Sequence, residues 1–239
     1  MKKIIFILPV LFLLCSCSST VSVIENFKDQ KADSQKYENS KIVLLGPRFI
    51  ISTEQSFTKL IINNYPDTSK LRTKICEFLK KEAIRERASF EITEGNTKVL
   101  PEMHDSTYTN TKDKNKADEF FRNIHEDFLL IIWTIKIDSV SSTGYSSGYW
   151  MGNSFMSGGL YTKKVNPLTL EAQLWNVKEQ KKIFSILTED STEGYPDDNI
   201  KGVESGIKYA ARKIVAYIVR NCNPTFSLPI DQDDLRNMY

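Results

Sequence analysis

Apolar residues recur along this chain with two spacings, at alternate positions and at about every 3.6 residues, which are typical of strands and of amphipathic helices. A β-branched and apolar run predicts a strand over residues 42–52, with a break where Gly46 and Pro47 interrupt it. The strongest strand is predicted from Phe128 to about Val140. Its first half is apolar throughout and its second half alternates, so we expect a central strand that is buried at one end and half exposed at the other.

Three further segments have the character of strands, at residues 90–92, 168–177 and 182–188. A polar turn at residues 178–180 separates the last two segments. Two alternating runs joined by a short polar turn predict an antiparallel hairpin.

Three segments have helical periodicity, at residues 69–85, 116–124 and 196–220. The first helix should bury a stripe consisting of Leu71, Ile75, Phe78, Leu79 and Ile84. The last helix should bury a stripe consisting of Ile200, Val203, Ile207, Ala211, Ile214 and Ile218. Beside that stripe lies a strip of small residues, Gly202, Gly206 and Ala210. Such a strip allows a neighbouring backbone to approach closely.

The predicted order β-α-β-α-β-β-β-α indicates an α/β fold of the α+β sandwich type, with two or three helices packed on a single mixed sheet. The globular domain is predicted over residues 41–221. Residues 222–239 are predicted to be a C-terminal tail. Residues 17–40 are polar and lack apolar periodicity, which predicts a flexible tether with a reach of ~26 Å.

The first residues have the pattern of a secretory signal. Two lysines precede an apolar run over residues 4–14, which as a helix would span ~16 Å against the ~30 Å of a bilayer core. The segment LCSC at residues 14–17 resembles a bacterial lipobox. The resemblance implies a signal peptide over residues 1–16 and acyl chains such as palmitate on Cys17, which would hold the protein to a membrane. A plain secreted protein is the alternative.

The residues after the lipobox bear on the location of the anchor. Ser18 is not the aspartate that marks inner-membrane retention in enteric lipoproteins, and residues 18–22 lack the acidic run of surface-exported lipoproteins. The resemblance to lipoproteins therefore implies an anchor in the outer membrane, with the protein facing the periplasm.

The charge balance excludes the basic surface of a nucleic-acid binder. Lys and Arg total 32 and Asp and Glu total 30, and the excess consists of Lys2 and Lys3 in the predicted signal peptide. The chain has two histidines, and it contains no H-E-x-x-H, no C-x-x-C and no phosphate-binding glycine motif. We therefore predict no cofactor and no metal site.

Two patterns resemble parts of catalytic sites. Residues 144–148 match G-x-S-x-G, but both histidines precede this serine, which is the reverse of the order in hydrolases. His125, Glu126 and Asp127 stand together before the central strand, as is typical of a solvated strand entrance. An acid–base or metal site with His104 as a partner is the alternative. No catalytic residue is predicted.

Cys76 and Cys222 remain once Cys15 is removed with the signal peptide and Cys17 is lipidated. In an oxidising periplasm these two residues could form a disulfide, which requires that the helices near them are neighbours. The alternative is two buried thiols.

Residues 141–161 combine glycine and serine with large aromatic residues and contain no charged residue. Exposed aromatic side chains on an adaptable backbone are typical of partner contact or of a membrane interface. The candidate contact residues are Tyr145, Tyr149, Trp150 and Phe155. The alternative is a hairpin whose aromatic residues fold back onto the domain.

The element order and local pattern of residues 41–221 resemble a small α/β domain found in three envelope families. These are the curli-transport lipoproteins, the lipoprotein activators of peptidoglycan synthases and the N-terminal domain of the Tol–Pal translocation protein B. The resemblance lies in HEDFLLI at residues 125–131, LEAQLWN at residues 170–176, KIF at residues 182–184 and the closing helix. It implies non-catalytic work at the envelope through protein contacts.

We therefore expect a lipid-anchored, non-catalytic module that binds a protein partner in the cell envelope, with the oligomeric state left open. One alternative is a subunit of an oligomeric export pore of the curli-transport type, in which residues 141–161 enter the membrane. Another is an envelope hydrolase that uses His125, Glu126 and Asp127.

Overall fold

The computed structural model describes residues 18–29, 37–53, 55–99, 111–138, 140–146, 149–151, 154–156, 158–165, 167–190 and 200–229. The strands in these residues are β1 (Ser18–Ser22), β2 (Ile24–Lys28), β3 (Lys41–Leu45), β4 (Phe49–Ser52), β5 (Glu91–Glu94), β6 (Phe128–Ile137), β7 (Val140–Ser146), β8 (Tyr149–Met151), β9 (Ser154–Met156), β10 (Gly159–Val165), β11 (Leu168–Asn176), β12 (Lys181–Asp190) and β13 (Thr225–Pro229). The helices are α1 (Gln55–Asn64), α2 (Thr68–Arg85), α3 (Thr111–Arg122) and α4 (Ile200–Val219).

Seven strands form the central sheet, in the spatial order β2-β12-β11-β6-β3-β5, with β4 also paired to β6. The strands β3 and β4 run parallel to β6, and β5 runs parallel to β3. The strands β11, β12 and β2 are antiparallel to their neighbours. The predicted α/β class, with helices packed on a single mixed sheet in an α+β sandwich, is confirmed.

The strand predicted over residues 42–52 is confirmed together with its break. Both β3 and β4 lie along the same side of β6, and residues 46–48 separate them. Gly46 has a φ of 94°, and a Cβ at this position would lie 2.1 Å from the carbonyl oxygen of Ile132. The N–H of Arg48 donates to the same carbonyl at 3.3 Å, so the chain stays bonded to β6 across the break.

Each face of the central sheet carries its own hydrophobic core. The larger core lies under α1, α2 and α4, and the smaller one lies under α3, where Phe121 contacts Trp175 near Trp133. Residues 128–133 of β6 are at most 4% exposed, whereas Lys136 further along is exposed. The prediction of a central strand that is buried at one end and half exposed at the other is confirmed.

The helix predicted over residues 69–85 is confirmed as α2, and its N-terminus is capped. Asp67 accepts a hydrogen bond from the N–H of Ser69 at 2.9 Å, which satisfies one of the free donors of the first turn. Ile84 is 79% exposed, so its predicted place in the buried stripe is wrong. The stripe that is buried consists of Leu71, Ile75, Leu79, Glu82 and Ala83. Ile84 directly follows the last buried residue of this stripe and lies on the side of the helix that faces solvent.

The helix α4 lies beside α2 and runs in the same direction. Glu82 of α2 contacts Arg212 of α4 at 4.0 Å, and Glu86 contacts Arg220 at 3.1 Å just past the ends of both helices. At the other end, Tyr65, which precedes α2, donates a hydrogen bond to Glu204 of α4. The side chains of Glu82 and Arg212 are at most 3% exposed, so this ion pair is buried between the helices. A buried ion pair adds little net stability, because both charges lose their hydration. Its main effect is to fix the relative position of the two helices.

The small residues of α4 face the sheet, as the sequence predicts. A Cβ at Gly206 would lie 3.2 Å from Cδ1 of Leu168 at the start of β11. Gly202 and Ala210 are also buried. The missing side chain at Gly206 therefore lets α4 pack closely on the sheet.

Both terminal segments contain strands that the sequence pattern did not reveal. The strands β1 and β2 lie in the predicted flexible tether, and β13 lies in the predicted C-terminal tail. The strand β1 pairs with β13, and β2 adds to the edge of the sheet beside β12. Residues 24–28 are therefore part of the central sheet, and residues 18–22 and 225–229 pair with each other. The bounds of the tether at residues 17–40, of the domain at residues 41–221 and of the tail at residues 222–239 stay predictions.

Polar contacts hold β2 against the end of α4. The hydroxyl of Tyr217 donates to the carboxylate of Glu25, and Nζ of Lys28 donates to the carbonyl of Cys222 at 2.7 Å. These partners are almost two hundred residues apart in the sequence, so no local pattern could reveal them.

Candidate functional site

The two central strands of the sheet continue outward as one long hairpin. The ladder between β6 and β11 leads into the ladder between β7 and β10, and then into that between β8 and β9. The pairs, from the sheet outward, are Ile137 with Leu168, Val140 with Val165, Ser146 with Gly159, Tyr149 with Met156 and Met151 with Ser154. The register between the two strands does not shift among these five pairs. We call residues 140–165 the distal hairpin.

The strands that flank the ladder inside the sheet end where the distal hairpin begins. The strand β12 ends with Asp190 opposite Leu168, and β4 ends with Ser52 opposite Ile137. Within the described residues, β7 to β10 pair only with one another. Leu160 in β10 is 79% exposed.

The distal hairpin has no charged residue along most of its length. Residues 139–162 contain no Asp, Glu, Lys or Arg, and Lys163 and Lys164 follow directly. By the register these two lysines lie opposite Ser142 and Ser141, at the end of the hairpin nearest the sheet. The hairpin is therefore uncharged toward its tip and basic at its base.

The four contact residues predicted from the sequence all lie on the distal hairpin. Tyr145 lies in β7, Tyr149 and Trp150 lie in β8, and Phe155 lies in β9 opposite Trp150. Tyr145 thus lies in the ladder of β7 with β10, and the other three lie in the ladder of β8 with β9. Contact of these residues with a partner stays a prediction, and so does the alternative of a hairpin whose aromatic residues fold back onto the domain.

The sequence analysis raised a hairpin here only within its alternatives, and it missed the register of the ladder. Glycine and serine at many positions hid the alternation that normally indicates strands. One signal was available, because Gly152-Asn153 lies between two aromatic runs, and a two-residue Gly-Asn link is typical of hairpins.

His125, Glu126 and Asp127 lie at the opposite end of the sheet, and Asp127 has a structural role. Its Oδ2 accepts from the N–H of Lys41 at 2.8 Å, and its own N–H donates to the carbonyl of Lys41 at 3.0 Å. Its carbonyl accepts from the N–H of Val177 at 3.1 Å. Asp127 therefore joins the starts of β3 and β6 to the end of β11.

The neighbouring groups do not converge on a common point. Oε2 of Glu126 accepts from the backbone N–H of His125, and the side chain of His125 is exposed. These residues line an open cleft of about 560 Å³ together with Glu38 and Lys178. In the described part of the chain, no three His, Cys, Asp or Glu residues are placed so as to hold a metal ion. His104 lies outside the described residues.

Cys76 and Cys222 are both buried and are not joined by a disulfide in this structure. Their helices are neighbours, as a disulfide requires, but the contact between Glu86 and Arg220 places Cys222 near the C-terminal end of α2. Cys76 lies ten residues before Glu86 in the helical part of the chain, or ~15 Å along its axis. A disulfide needs Cα atoms within about 7 Å. This arrangement favours two separate buried thiols, which is one of the two alternatives that the sequence leaves open.

The predicted lipidation site, Cys17, lies outside the described residues, directly before β1. No helix in the part of the chain that the structure describes is long and apolar enough to span a membrane.

Comparisons with known proteins give no family. The chain matches no protein-family model, and no curated protein matches it significantly. Similar solved structures include the PelC dodecamer from Paraburkholderia phytofirmans, with 10% identity, a TM-score of 0.34 and coverage of 86% of this chain and 96% of that chain. The lipoprotein GNA1162 from Neisseria meningitidis has 14% identity, a TM-score of 0.30 and coverage of 74% and 98% in the same order. The hypothetical protein CT253 from Chlamydia trachomatis has 8% identity, a TM-score of 0.35 and coverage of 77% and 98%. Similarity this low supports no conclusion about function.

Proposed function

We propose that this chain is a lipid-anchored, non-catalytic assembly module of the cell envelope, and that the distal hairpin is the part through which it assembles. The observation that carries this proposal is the ladder, which leaves the central sheet in register and continues without flanking strands in the described residues. A two-stranded hairpin is at best marginally stable in water on its own. We therefore expect a long, uncharged hairpin to be stabilised by a binding partner outside the chain.

The anchor in this proposal is Cys17, with its acyl chains in the outer membrane and the domain in the periplasm. Support comes from the lipobox pattern at residues 14–17. Several acyl chains at ~0.8 kcal/mol per buried methylene would hold the chain firmly to the membrane. Labelled palmitate should enter the wild-type chain and fail to enter Cys17→Ser.

A non-catalytic role is part of this proposal, and it assigns a structural role to Asp127. At the sheet end where a hydrolase was an alternative, the carboxylate of Asp127 is bonded to the backbone of Lys41. The variant Asp127→Asn should therefore change stability rather than any activity.

Cross-linking in intact cells followed by purification tests the assembly role. The double variant Tyr149→Ala/Trp150→Ala should lose most of the cross-linked complex, because it removes two aromatic residues from the tip of the hairpin. The matched control is Phe49→Ala/Ile51→Ala, which removes two apolar side chains that are 49% and 48% exposed on the body of the domain. Recovery of the complex unchanged in the hairpin variant, with the protein still folded, would refute the role of the hairpin.

The second candidate function is a subunit of an oligomeric export pore of the curli-transport type. The observation that favours it is the uncharged sequence of residues 143–151 and 154–162, nine residues each, whose described pairs run from Thr143 with Thr162 to Met151 with Ser154. Strands that cross a bilayer need about 9–11 residues. Size determination in detergent separates the candidates, because a pore requires a ring-sized oligomer and a monomer excludes it.

A further inference from the structure

The strands β1 and β13 form a separate two-stranded ribbon that joins the two terminal segments of the chain. The pairs run from Ser22 with Thr225, next to the body of the domain, to Ser18 with Pro229 at the far end. Within the described residues, these two strands pair only with each other. We call residues 18–22 and 225–229 the terminal ribbon.

The base of the terminal ribbon is fixed to the body of the domain. The N–H of Val23 donates to the carbonyl of Pro224 at 3.0 Å, which continues the pairing toward the domain. Val23 is buried and belongs to the larger core. The N–H of Thr225 donates to Oδ1 of Asn223 at 3.1 Å. The ribbon therefore starts at a defined position on the domain.

The register gives the terminal ribbon two different faces. Alternate positions of a strand lie on opposite faces, and paired residues share a face. One face consists of hydroxyl residues and one proline, namely Ser18, Thr20, Ser22, Thr225, Ser227 and Pro229. The other face consists of two pairs, Val21 with Phe226 and Ser19 with Leu228. The ribbon is therefore amphipathic, with three of its four large apolar positions' worth of surface on one side replaced by hydroxyl groups on the other.

The terminal ribbon and the residues beside it carry no charge. Residues 18–24 and 221–230 contain no Asp, Glu, Lys or Arg, although these types make up 26% of the chain. Charged side chains are the most costly ones to bring into the apolar part of a bilayer. The composition of the ribbon therefore suits contact with lipid.

The predicted lipid anchor lies directly beside the far end of the ribbon. Cys17 precedes Ser18, so their Cα atoms are ~3.8 Å apart. The pair of Val21 with Phe226 lies three residues further along β1, or ~10 Å from Ser18. Acyl chains on Cys17 thus bring a bilayer within reach of the whole apolar face.

We infer that the terminal ribbon lies along the surface of the membrane that holds Cys17, with the face of Val21, Phe226 and Leu228 in contact with the lipid. This inference rests on the proposed function, because the acyl chains on Cys17 bring the membrane to the ribbon. Two strands alone are at best marginally stable in water, and an amphipathic element at a membrane surface turns its apolar face toward the acyl chains. The lipid therefore stabilises the ribbon, and the ribbon fixes the orientation of the domain on the membrane.

Quenching of a fluorophore tests this inference in vesicles of phosphatidylethanolamine and phosphatidylglycerol that contain the purified, lipidated chain. An NBD fluorophore is attached to one introduced cysteine at a time, at Thr225→Cys, Phe226→Cys, Ser227→Cys or Leu228→Cys. A label at Lys178→Cys, on the exposed turn between β11 and β12, is the reference on the body of the domain. The wild-type chain gives the background labelling, since its Cys76 and Cys222 are buried.

The quenching should alternate along β13. A nitroxide near the lipid head groups should quench the labels at positions 226 and 228 at least threefold more than those at positions 225, 227 and 178. Thermal unfolding shows whether each labelled variant is folded. If a label in β13 disturbs the fold, Val21→Cys and Thr20→Cys provide the same comparison on β1, with stronger quenching expected at position 21.

Three results would overturn the inference. Equal quenching at positions 225–228 would show that the ribbon does not lie with one face on the membrane. Quenching at these positions no stronger than at position 178 would show that the ribbon is away from the lipid. Apolar NBD emission from positions 226 and 228 without quenching would show that this face packs on protein.

The incorporation of palmitate separates this inference from the proposed function. If palmitate enters the chain at Cys17 and the quenching does not alternate, the inference fails and the lipid anchor stands. If palmitate does not enter the chain, the lipid anchor of the proposed function fails, and the inference fails with it.

Discussion

The ladder between β6 and β11 passes through two regions with the same backbone pairing and different surroundings. In the sheet, α3 packs on one face of the ladder and α1, α2 and α4 pack on the other, and residues 128–133 are at most 4% exposed. In the distal hairpin, Leu160 is 79% exposed. Backbone pairing between two strands therefore sets the shape of both regions, whereas packed apolar side chains stabilise only the ladder inside the sheet. For such packing, the hairpin depends on something other than the described part of its own chain.

The largest difference between the regions is expected for two glycine substitutions. Gly46→Ala should cost about 4 kcal/mol in the free energy of unfolding, because its φ of 94° disfavours a side chain and the new Cβ would lie 2.1 Å from a carbonyl of β6. The control is Gly159→Ala, where a Cβ would meet no atom within 4 Å, and where we expect a change below about 0.5 kcal/mol. Urea unfolding measures both. Similar losses of stability in the two variants would contradict the explanation that the break between β3 and β4 requires a glycine at position 46.

The next largest difference is expected for two leucines on the same ladder. Leu130→Ala, which truncates a side chain with 0% exposure in β6, should lower the free energy of unfolding by about 3 kcal/mol. Leu160→Ala should leave it nearly unchanged, since this side chain is already 79% exposed. A loss of stability in Leu160→Ala of the isolated protein would show that the hairpin packs on its own domain.

A smaller effect is expected where β2 is held to α4. Burial and the hydrogen bond to Glu25 raise the pKa of Tyr217 above its usual value of 10.0. The protonated hydroxyl therefore stabilises the fold below about pH 10, and this contribution is lost as the pH rises further. Tyr217→Phe should cost about 1–2 kcal/mol at neutral pH. The control Tyr65→Phe removes a similar bond to Glu204 from a less buried site and should cost less.

The smallest effect is expected in acid, and only in the body of the domain. Hydrogen bonds from Ser69 hold the pKa of Asp67 below its usual value of 3.8. The cap is therefore fully effective above about pH 4 and is lost as the pH falls through the lowered pKa. Asp67→Asn keeps an acceptor that does not titrate, so its melting temperature should fall less than that of the wild type between pH 4 and pH 2. Equal falls in both proteins would show that Asp67 does not titrate as described. No Asp, Glu or His lies in residues 139–162, so the stability of the hairpin should not change between pH 4 and pH 2.

Regular apolar spacing made the body of the domain predictable. The strand β6 has an apolar run, β11 and β12 flank a polar turn, and α2 and α4 have helical stripes. The helix α1 was missed although Phe57, Leu60 and Ile61 have helical spacing, because ten residues give only a short periodic pattern. Ile84 shows the limit of periodicity, since a residue near the end of a stripe can turn outward.

Long-range pairing could not be predicted. The strand β1 forms only by pairing with β13, which lies at the other end of the chain, and β2 forms by pairing with β12. The candidate site shows the same limit. Tyr145, Tyr149, Trp150 and Phe155 could be chosen as a group from their composition, but the register that places Trp150 opposite Phe155 comes only from the structure.

Hydrogen exchange compares the two regions most directly and tests whether the hairpin is completed from outside the chain. It is measured on the detergent-free monomer and on the membrane-bound protein. In the monomer, the amides of residues 143–162 should exchange at least a hundredfold faster than those of residues 129–135, and on the membrane the two sets should become similarly protected. Equal protection of both sets in the monomer would contradict the account, because the hairpin would then need nothing beyond its own chain.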